Sequence, residues 1–228
     1  MITRSKRYTT ACSKITTTEP LSIELAVKSL DGFEKAKFDE TVELSVSLGV
    51  DPKQSSLAVR GTVNLPHGSG KDVKVLVFTQ TPEDALAAGA DYAGLEDLIK
   101  KVQDGWLDFD VALSTTTAMK EVRSVARVLG PRGLMPTPKA GTVTDDLATA
   151  INAVKAGRVE FKMDKTGAMA VVVGKRSFSS VQLVENTQAA LRAVDESRPE
   201  GFKGRFIKTL HLSSTMSPSL AVETNISN

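Results

Sequence analysis

Residues 41 to 48 have the sequence TVELSVSL, in which polar and apolar side chains alternate without a break. Successive side chains of an extended chain point to opposite faces, so all the apolar residues of this stretch share one face. The stretch therefore predicts a strand with one buried face and one open face. The same alternation returns in residues 59 to 65, before Pro66, His67 and Gly68 interrupt the chain.

Residues 73 to 156 follow a different pattern, in which short apolar runs alternate with segments of helical periodicity. The pattern predicts strands at residues 73–78 and 109–113, with helices at residues 82–88, 95–102, 117–129 and 145–156. Thr144 is the expected cap of the last helix, and Gly157 is its expected end. Strands that alternate with helices predict a parallel, doubly wound sheet.

The first pattern comes back after Gly157. Strands are predicted at residues 159–163, 169–173 and 206–214, with one helix at residues 181–194 and another from Pro20 to about Lys35. Two segments of one style thus enclose a segment of another.

This arrangement predicts a fold of both the α/β and the α+β class, in two domains. We expect a discontinuous α+β two-layer domain from residues 1–67 and 159–228, with an inserted Rossmann-like α/β domain at residues 68–158. The two chain crossings between them are able to act as a hinge.

Charge is spread unevenly along the chain. The 228 residues include 29 Lys and Arg against 27 Asp and Glu, so the net charge is only +2. Residues 1–18, 122–144 and 201–222 nevertheless contain several basic residues and no acidic one. Any affinity for nucleic acid must therefore come from these local basic runs rather than from the total charge.

Cysteine usage and hydropathy limit the class of protein. The single Cys12 excludes an intramolecular disulfide and a cysteine-based zinc site, and no histidine lies near it in sequence to make it a nucleophile. No apolar run reaches the roughly 18 to 20 residues of a membrane span. We expect a soluble intracellular protein without a membrane partner. The Thr/Ser-rich N terminus has the composition of a transit peptide, so an organelle is the alternative location. The Ser/Thr-rich end after Leu220 is expected to be disordered.

A loop rich in glycine and proline, GPRGLMPTPKAGT at residues 130–142, lies at the centre of the second basic run. Proline lacks a backbone donor and glycine is entropically costly in regular structure, so the segment is predicted to be a shaped loop. The run carries Arg123, Arg127, Arg132 and Lys139. A stiff loop loses little freedom on binding, which favours a fixed contact with an anion or between domains over a merely solvated surface loop.

Two sets of side chains are candidates for contact with RNA. The first set is Lys37, Phe38, Thr41 and Glu43. It offers a cation, an aromatic ring, a hydroxyl and a carboxylate, and a carboxylate would accept from a base amino group or a ribose hydroxyl. The alternative interpretation is that Phe38 belongs to the core and that Glu43 is an ordinary solvated strand residue.

The second set lies on the predicted strand near the C terminus. Its polar face would carry Thr209, His211, Ser213 and Thr215, opposite a packed back of Leu210, Leu212 and Met216. Small hydroxyls permit the close approach of a nucleic-acid backbone. A plain exposed strand is the alternative interpretation.

Catalytic sites are poorly supported by the sequence. The segment HGSGK at residues 67–71 lacks a glycine at position 65, and Asp72 stands where a phosphate-binding loop has Ser or Thr. His67 and His211 share no metal-ligand spacing, and Asp145 with Asp146 suits the first turn of a helix. We therefore predict no catalytic residue, cofactor or metal. A phosphate-handling enzyme built on the α/β domain remains the alternative function.

Four segments carry a resemblance to a known family. GPRGLMPTPKAGTVT, residues 130–144, resembles the signature of the large-subunit ribosomal protein one family (ribosomal protein L-one), bacterial type. Residues 36–56, 59–71 and 213–216 resemble further motifs of that family, in the family's order. The resemblance covers nearly the whole chain.

The resemblance implies a non-enzymatic constituent of the large ribosomal subunit, monomeric within a cytoplasmic ribosome. Such a protein binds the rRNA of the stalk beside the tRNA exit site and assists the release of deacylated tRNA. Many members also repress translation of their own messenger RNA by binding a mimic of the rRNA site. The implied two-domain architecture is the one expected from the residue patterns.

The resemblance also strengthens the candidate site. The expected rRNA-binding residues are Lys37, Phe38, Thr41, Glu43, Thr209, Ser213, Thr215, Met216 and Ser217, and Arg132 and Lys139 form a secondary RNA or interdomain loop. In the family, Phe38 and Glu43 align with central rRNA contacts, and the Thr-Met pair touches the sugar edge. The next position is usually glycine, and Ser217 stands there instead. Because serine tolerates positive φ poorly, this departure questions the geometry of the loop.

Overall fold

The computed structural model describes residues 4–15, 19–51, 58–199 and 202–224, with only the main chain of Lys139. Parts of the sequence motif at residues 36–56, of the basic N terminus and of the C-terminal end therefore lie outside the described residues. The chain divides into two compact units. We call Met1–Gly70 with Val159–Asn228 the outer unit, and Lys71–Arg158 the inserted unit.

The fold mixes helices and strands throughout the described residues. The strands, in chain order, are β1 (Thr41–Leu48), β2 (Arg60–Asn64), β3 (Val75–Phe78), β4 (Tyr92–Gly94), β5 (Val111–Ser114), β6 (Arg158–Lys162), β7 (Ala168–Lys175), β8 (Ile207–Ser214) and β9 (Leu220–Val222). The helices are α1 (Lys6–Ser13), α2 (Ile23–Asp31), α3 (Pro82–Ala87), α4 (Glu96–Gln103), α5 (Met119–Val122), α6 (Ala126–Leu129), α7 (Leu147–Lys155) and α8 (Ser180–Glu196).

The outer unit is built on a four-stranded antiparallel sheet with strand order β7-β1-β8-β9. The apolar residues of β1 are buried in a core that also holds apolar residues of α2 and α8. The polar residues of β1 are half-buried or exposed. The alternation of residues 41–48 thus predicted both the bounds of β1 and its two faces correctly. Strands β2 and β6 pair separately.

The inserted unit contains a parallel three-stranded sheet with strand order β4-β3-β5. All four residues of β3 are fully buried, because helices cover both faces of the sheet. Leu76 and Phe78 pack with residues of α4 and of the segment from α5 to α6, whereas Val75 and Val77 pack with α3 and α7. This is the doubly wound arrangement expected from alternating strands and helices.

Several predicted elements have different bounds in the structure. The helix expected at residues 117–129 is broken into α5 and α6 by a 3-10 turn at Arg123–Val125. Helix α7 is capped by Asp146, whose carboxylate accepts from the Thr149 amide, and not by Thr144. Asp145 lies outside the helix, where it accepts hydrogen bonds from Thr116.

Three further differences concern the start of α2 and the strands β4 and β9. Helix α2 starts at Ile23 rather than near Pro20, because the Ser22 hydroxyl caps it by accepting from Leu25. Strand β4 was not predicted, since it has only three residues. Strand β9 occupies Leu220–Val222, so the expectation of disorder after Leu220 is wrong as far as Thr224.

A buried ion pair connects β1 with the end of β7. Glu40 and Arg176 are 1% and 3% exposed, and Oε1 of Glu40 lies 3.6 Å from Nη1 of Arg176. The Arg176 guanidinium also donates to the carbonyls of Leu30 and Phe33 at 2.6 and 2.5 Å. One arginine thereby ties the end of α2 to the sheet.

The carboxylate of Glu40 has further donors around it. It accepts from the Ala36 amide at 2.7 Å, the Ser214 hydroxyl at 2.5 Å and the Met216 amide at 3.4 Å. Burial by itself raises the pKa of Glu40, but the hydrogen bonds and the charge of Arg176 outweigh burial, so the pKa is lowered from its ordinary value of 4.5. The folded protein therefore holds Glu40 as a carboxylate.

We expect Arg176→Met to lower the free energy of unfolding by about 3 to 5 kcal/mol, because it leaves a buried carboxylate without its counter-ion. The double variant Glu40→Gln, Arg176→Met should lose less than the sum of the two single variants. Urea unfolding monitored by circular dichroism measures both. Additive losses would show that the two side chains are not coupled.

The pH dependence of stability follows from the lowered pKa of Glu40. The stabilisation that Glu40 provides is fully present above its unfolded pKa and is lost as the pH falls through its lower folded pKa. Urea unfolding at several values between about pH 6 and about pH 3 should therefore show a shallower acid loss in Glu40→Gln than in the parent protein. Equal slopes would contradict the assignment.

Candidate nucleic-acid interface

The segment before β1 holds Phe38 out into solvent. On one side of it, the Asp39 carboxylate accepts from the amide and the hydroxyl of Ser177 at 3.1 and 2.8 Å. Next to Asp39, Glu40 is fixed in the buried ion pair. Phe38 is 54% exposed, so the alternative interpretation that it belongs to the core is wrong. Lys37 beside it is exposed as well.

Thr41 and Thr215 are joined by hydrogen bonds at the end of β1. The Thr41 amide donates to the Thr215 hydroxyl at 3.0 Å, and the Thr215 amide and hydroxyl donate to the Thr41 carbonyl at 3.0 and 3.3 Å. We expected Thr215 to continue the polar row of β8, and this is wrong. It lies past the end of the strand, and its hydroxyl is bound to the neighbouring main chain, although the residue remains exposed.

Met216 and Ser217 follow in the turn after β8. We expected Met216 to pack on the back of the strand with Leu210 and Leu212, but it is 49% exposed, because the chain turns after Ser214 and the alternation ends there. Ser217 does not have positive φ. Its hydroxyl accepts from the Ser214 amide at 2.9 Å and donates to the Pro218 carbonyl at 2.9 Å. Serine is therefore compatible with this turn.

The open face of the sheet carries the remaining candidates of the outer unit. Glu43 is exposed and lies directly opposite Ser213 of β8. Thr209 lies opposite Ser47, four residues before Ser213 in β8 and thus about 13 Å from it. The structure brings together eight of the predicted residues and leaves Thr209 at the other end of the sheet. We call these eight the sheet-end surface: Lys37, Phe38, Thr41, Glu43, Ser213, Thr215, Met216 and Ser217.

Sequence reasoning missed Lys175 and the pair of Glu40 with Arg176. Lys175 pairs with Thr41 in the sheet, and its Nζ donates to the Thr41 hydroxyl at 2.9 Å, so this end of the sheet has a second cation in addition to Lys37. The pairing of β1 with β7, which is distant in sequence, creates this contact. Nothing local to Lys175 indicates it.

The Gly/Pro-rich segment of the inserted unit is a shaped loop, as predicted. Gly133 and Gly141 have φ of 73° and 63°, which favours glycine. The Thr142 hydroxyl accepts from the Thr137 amide at 2.8 Å and donates to the Thr137 carbonyl at 3.1 Å. Arg132 is exposed, and the side chain of Lys139 lies outside the described residues. A single 3-10 turn at Pro138–Ala140 is the regular structure in this loop.

The HGSGK segment begins as a turn fixed to α8. The His67 amide donates to Oδ1 of Asn186 at 3.1 Å, and Nδ2 of Asn186 donates to the Gly68 carbonyl at 3.0 Å. The His67 ring pairs with Glu185. Across the described ranges, no group of three His, Cys, Asp or Glu side chains is placed to hold a metal ion, and no helix there is long and apolar enough to cross a membrane.

Comparison with known proteins agrees with this architecture. Residues 30–218 match the family described as the ribosomal protein L1p/L10e family. The chain is 49% identical over 222 residues to the large ribosomal subunit protein uL1 of Kosmotoga olearia, covering 96% of each chain. It is also 49% identical to the protein of that name from Persephonella marina, covering 98% of this chain and 95% of the relative.

A third relative of the same name, from Protochlamydia amoebophila, is 48% identical over 96% of this chain and 94% of its own length. All three are named as ribosomal proteins rather than as enzymes, and the organisms are bacteria. A family match over most of the chain, together with near-complete coverage at this identity, places the chain in the ribosomal protein L1p/L10e family.

Proposed function

We propose that the chain is a constituent of the large ribosomal subunit that binds the rRNA of the stalk through the sheet-end surface. The observation that carries the proposal is the exposure of Phe38 and Met216 at one end of the four-stranded sheet. Aromatic and apolar side chains that a protein holds in water are suited to stack on unpaired bases or to pack against a ribose.

Polar groups around these two side chains supply the rest of the interface. Lys37 and Lys175 pair with phosphates, whereas Glu43 repels phosphates and accepts from a base amino group or a ribose 2′-hydroxyl. Thr41 and Ser213 add hydroxyls between these charges. A surface that mixes cations with a carboxylate recognises specific groups of the RNA rather than negative charge alone.

The proposal extends to the ribosomal role of the protein. In a cytoplasmic ribosome, the chain would help to release deacylated tRNA from the exit site. It would also repress its own synthesis when its messenger RNA presents a mimic of the rRNA site to the sheet-end surface. Family membership supports the first role. The second role follows from the proposed sheet-end surface, since the rRNA and the messenger RNA would compete for it.

The loop with Arg132 and Lys139 is proposed to make further rRNA or tRNA contacts. Its glycine conformations and its Thr137–Thr142 hydrogen bonds limit the freedom that the main chain loses on binding. The alternative function, a phosphate-handling enzyme, gains no support from any observation, and the relatives are named as ribosomal proteins.

Binding of the full chain to a stalk rRNA fragment, compared with an unrelated hairpin across a salt series, tests the proposal. We expect the stalk fragment to bind more tightly at every salt concentration. Equal affinity for the two RNAs would overturn the proposed function.

Phe38→Ala should weaken binding to the stalk fragment by about 1 to 3 kcal/mol, the range for loss of a stacked base, and should leave binding to the hairpin nearly unchanged. Because Phe38 is largely exposed, the melting temperature should barely change. Leu25→Ala is the matched control, since Leu25 is also 54% exposed but lies on α2. An equal loss of binding affinity in both variants would show that Phe38 does not belong to the interface.

Replacement of residues 71–157 by a short Gly/Ser linker should leave the outer unit folded, because its core is formed within that unit and β6 is retained. We expect this variant to keep most of the specific affinity for the stalk fragment. Circular dichroism and the binding assay measure the two properties. A folded deletion protein without specific binding would show that recognition needs both units.

Arg132→Ala should weaken binding to complete stalk rRNA and reduce the slope of log K against log salt by roughly 0.7 to 0.9, the value for one phosphate contact. Lys101→Ala, an exposed cation on α4 of the same unit, is the control. An unchanged slope in both Arg132→Ala and Lys139→Ala would assign the loop to interdomain packing rather than to RNA contact.

A further inference from the structure

Residues 4–15, which include helix α1, are strongly basic. Arg4, Lys6 and Arg7 lie at the beginning of α1, and residues 1–18 contain no acidic residue. Composition alone leaves open whether these cations form a tail in solvent or a fixed part of a surface.

Contacts at the other end of α1 fix its position in the outer unit. Ala11 is 6% exposed, and Ile15 packs against the main core of that unit. The Lys14 ammonium donates to the Gly32 carbonyl, just past the end of α2, at 2.8 Å. Helix α1 is thus anchored through its C-terminal end, and its first residues have a defined place.

That place is beside the turn after β8. A surface cavity of about 340 Å³ is lined by Arg4, Ser5, Arg7 and Tyr8 together with Thr215–Ser217. The Arg4 guanidinium lies over the Tyr8 ring, 4.6 Å from its centroid. The cavity therefore continues the sheet-end surface with two guanidinium groups and a phenol.

The cavity is positively charged. Neither Arg4 nor Arg7 forms an ion pair with any described residue. The carboxylate of Glu40, which accepts from the Met216 amide behind the turn, is buried and paired with Arg176. Two guanidinium groups therefore line this cavity, and the carboxylate behind its Met216 side is already paired with Arg176.

We propose that this cavity is a second contact site for RNA, in which Arg4 and Arg7 bind phosphates of the strand that crosses Thr215 and Met216. The inference rests on the proposed function, because it takes the sheet-end surface as the primary RNA site. Guanidinium groups bind phosphate oxygens through paired hydrogen bonds, and Tyr8, under Arg4, supplies an aromatic edge and a hydroxyl. An RNA strand is favoured over other anions since the cavity is continuous with the hydroxyls and the exposed Met216 of the primary site.

The full-length double variant Arg4→Gln, Arg7→Gln tests the site, because glutamine removes the charges and is a similarly good helix former. Because this variant cannot neutralise the two phosphates, we expect weaker binding to the stalk fragment and a salt slope smaller by roughly 1.4 to 1.8 units. The variant Arg4→Lys, Arg7→Lys should retain most of the slope, since it keeps the charges.

The control is Lys28→Gln, Arg192→Gln, which removes the same charge from exposed positions on α2 and α8, the helices that cover the other face of the sheet. Its slope should equal that of the parent protein. An equal fall in the control and in the arginine variant would reduce the effect to total charge and overturn the proposal.

The remaining outcomes separate this inference from the proposed function. If the parent protein prefers the stalk fragment but the glutamine variant retains its affinity and slope, the second site is wrong and the primary site stands. If the parent protein shows no preference, both proposals fail. Circular dichroism monitors α1, and a variant that loses this helix is replaced in the comparison by Arg7→Gln alone, for which the expected change in slope is roughly 0.7 to 0.9.

Discussion

The buried ion pair of Glu40 with Arg176 holds together the end of the sheet at which the candidate interface lies. Through its carboxylate, Glu40 binds the segment before β1, the last residue of β8 and the turn that follows. Through its guanidinium, Arg176 binds the end of α2. Burying two charges is costly unless they are paired and hydrogen-bonded, so this arrangement is stable only when all of these segments are in place. The pair therefore specifies the relative positions of four segments at once.

The ion pair fixes the main chain beneath the exposed side chains of the candidate interface. Phe38 and Met216 contribute little to the core, since about half of each side chain contacts water. Each is nevertheless adjacent to a residue or an amide that the ion pair holds: Phe38 is two residues before Glu40, and the Met216 amide donates to Glu40 directly. An RNA that binds them orders little additional main chain, and this lowers the entropic cost of association.

The parts of the fold that sequence predicted well depend on local patterns. Alternation over eight residues gave the bounds of β1, because burial of one face is recorded in every second residue. Local patterns did not predict the bounds of helices that are set by a hydrogen bond or by a break in the helix. Examples are the 3-10 turn at Arg123–Val125 and the cap at Asp146. The prediction failed for Met216 because a strand's alternation carries no information beyond the residue where the strand ends.

The exposed residues of the candidate site could likewise be predicted from the sequence, whereas the residues that hold them in place could not. Lys175 and Arg176 reach it only through the pairing of β1 with β7, across more than a hundred residues of chain.

The hydrogen bonds already made within the site limit what a partner can offer it. The Thr215 hydroxyl accepts from the Thr41 amide and donates to the Thr41 carbonyl, so it keeps acceptor capacity alone. The Thr41 hydroxyl accepts from Lys175 and keeps its own proton to donate. With Glu43 as a further acceptor, the proposed interface presents donors and acceptors side by side. A phosphate can use only the donors, whereas a ribose 2′-hydroxyl both donates and accepts, so the arrangement is better matched to the sugar edge of RNA than to DNA or to a simple anion.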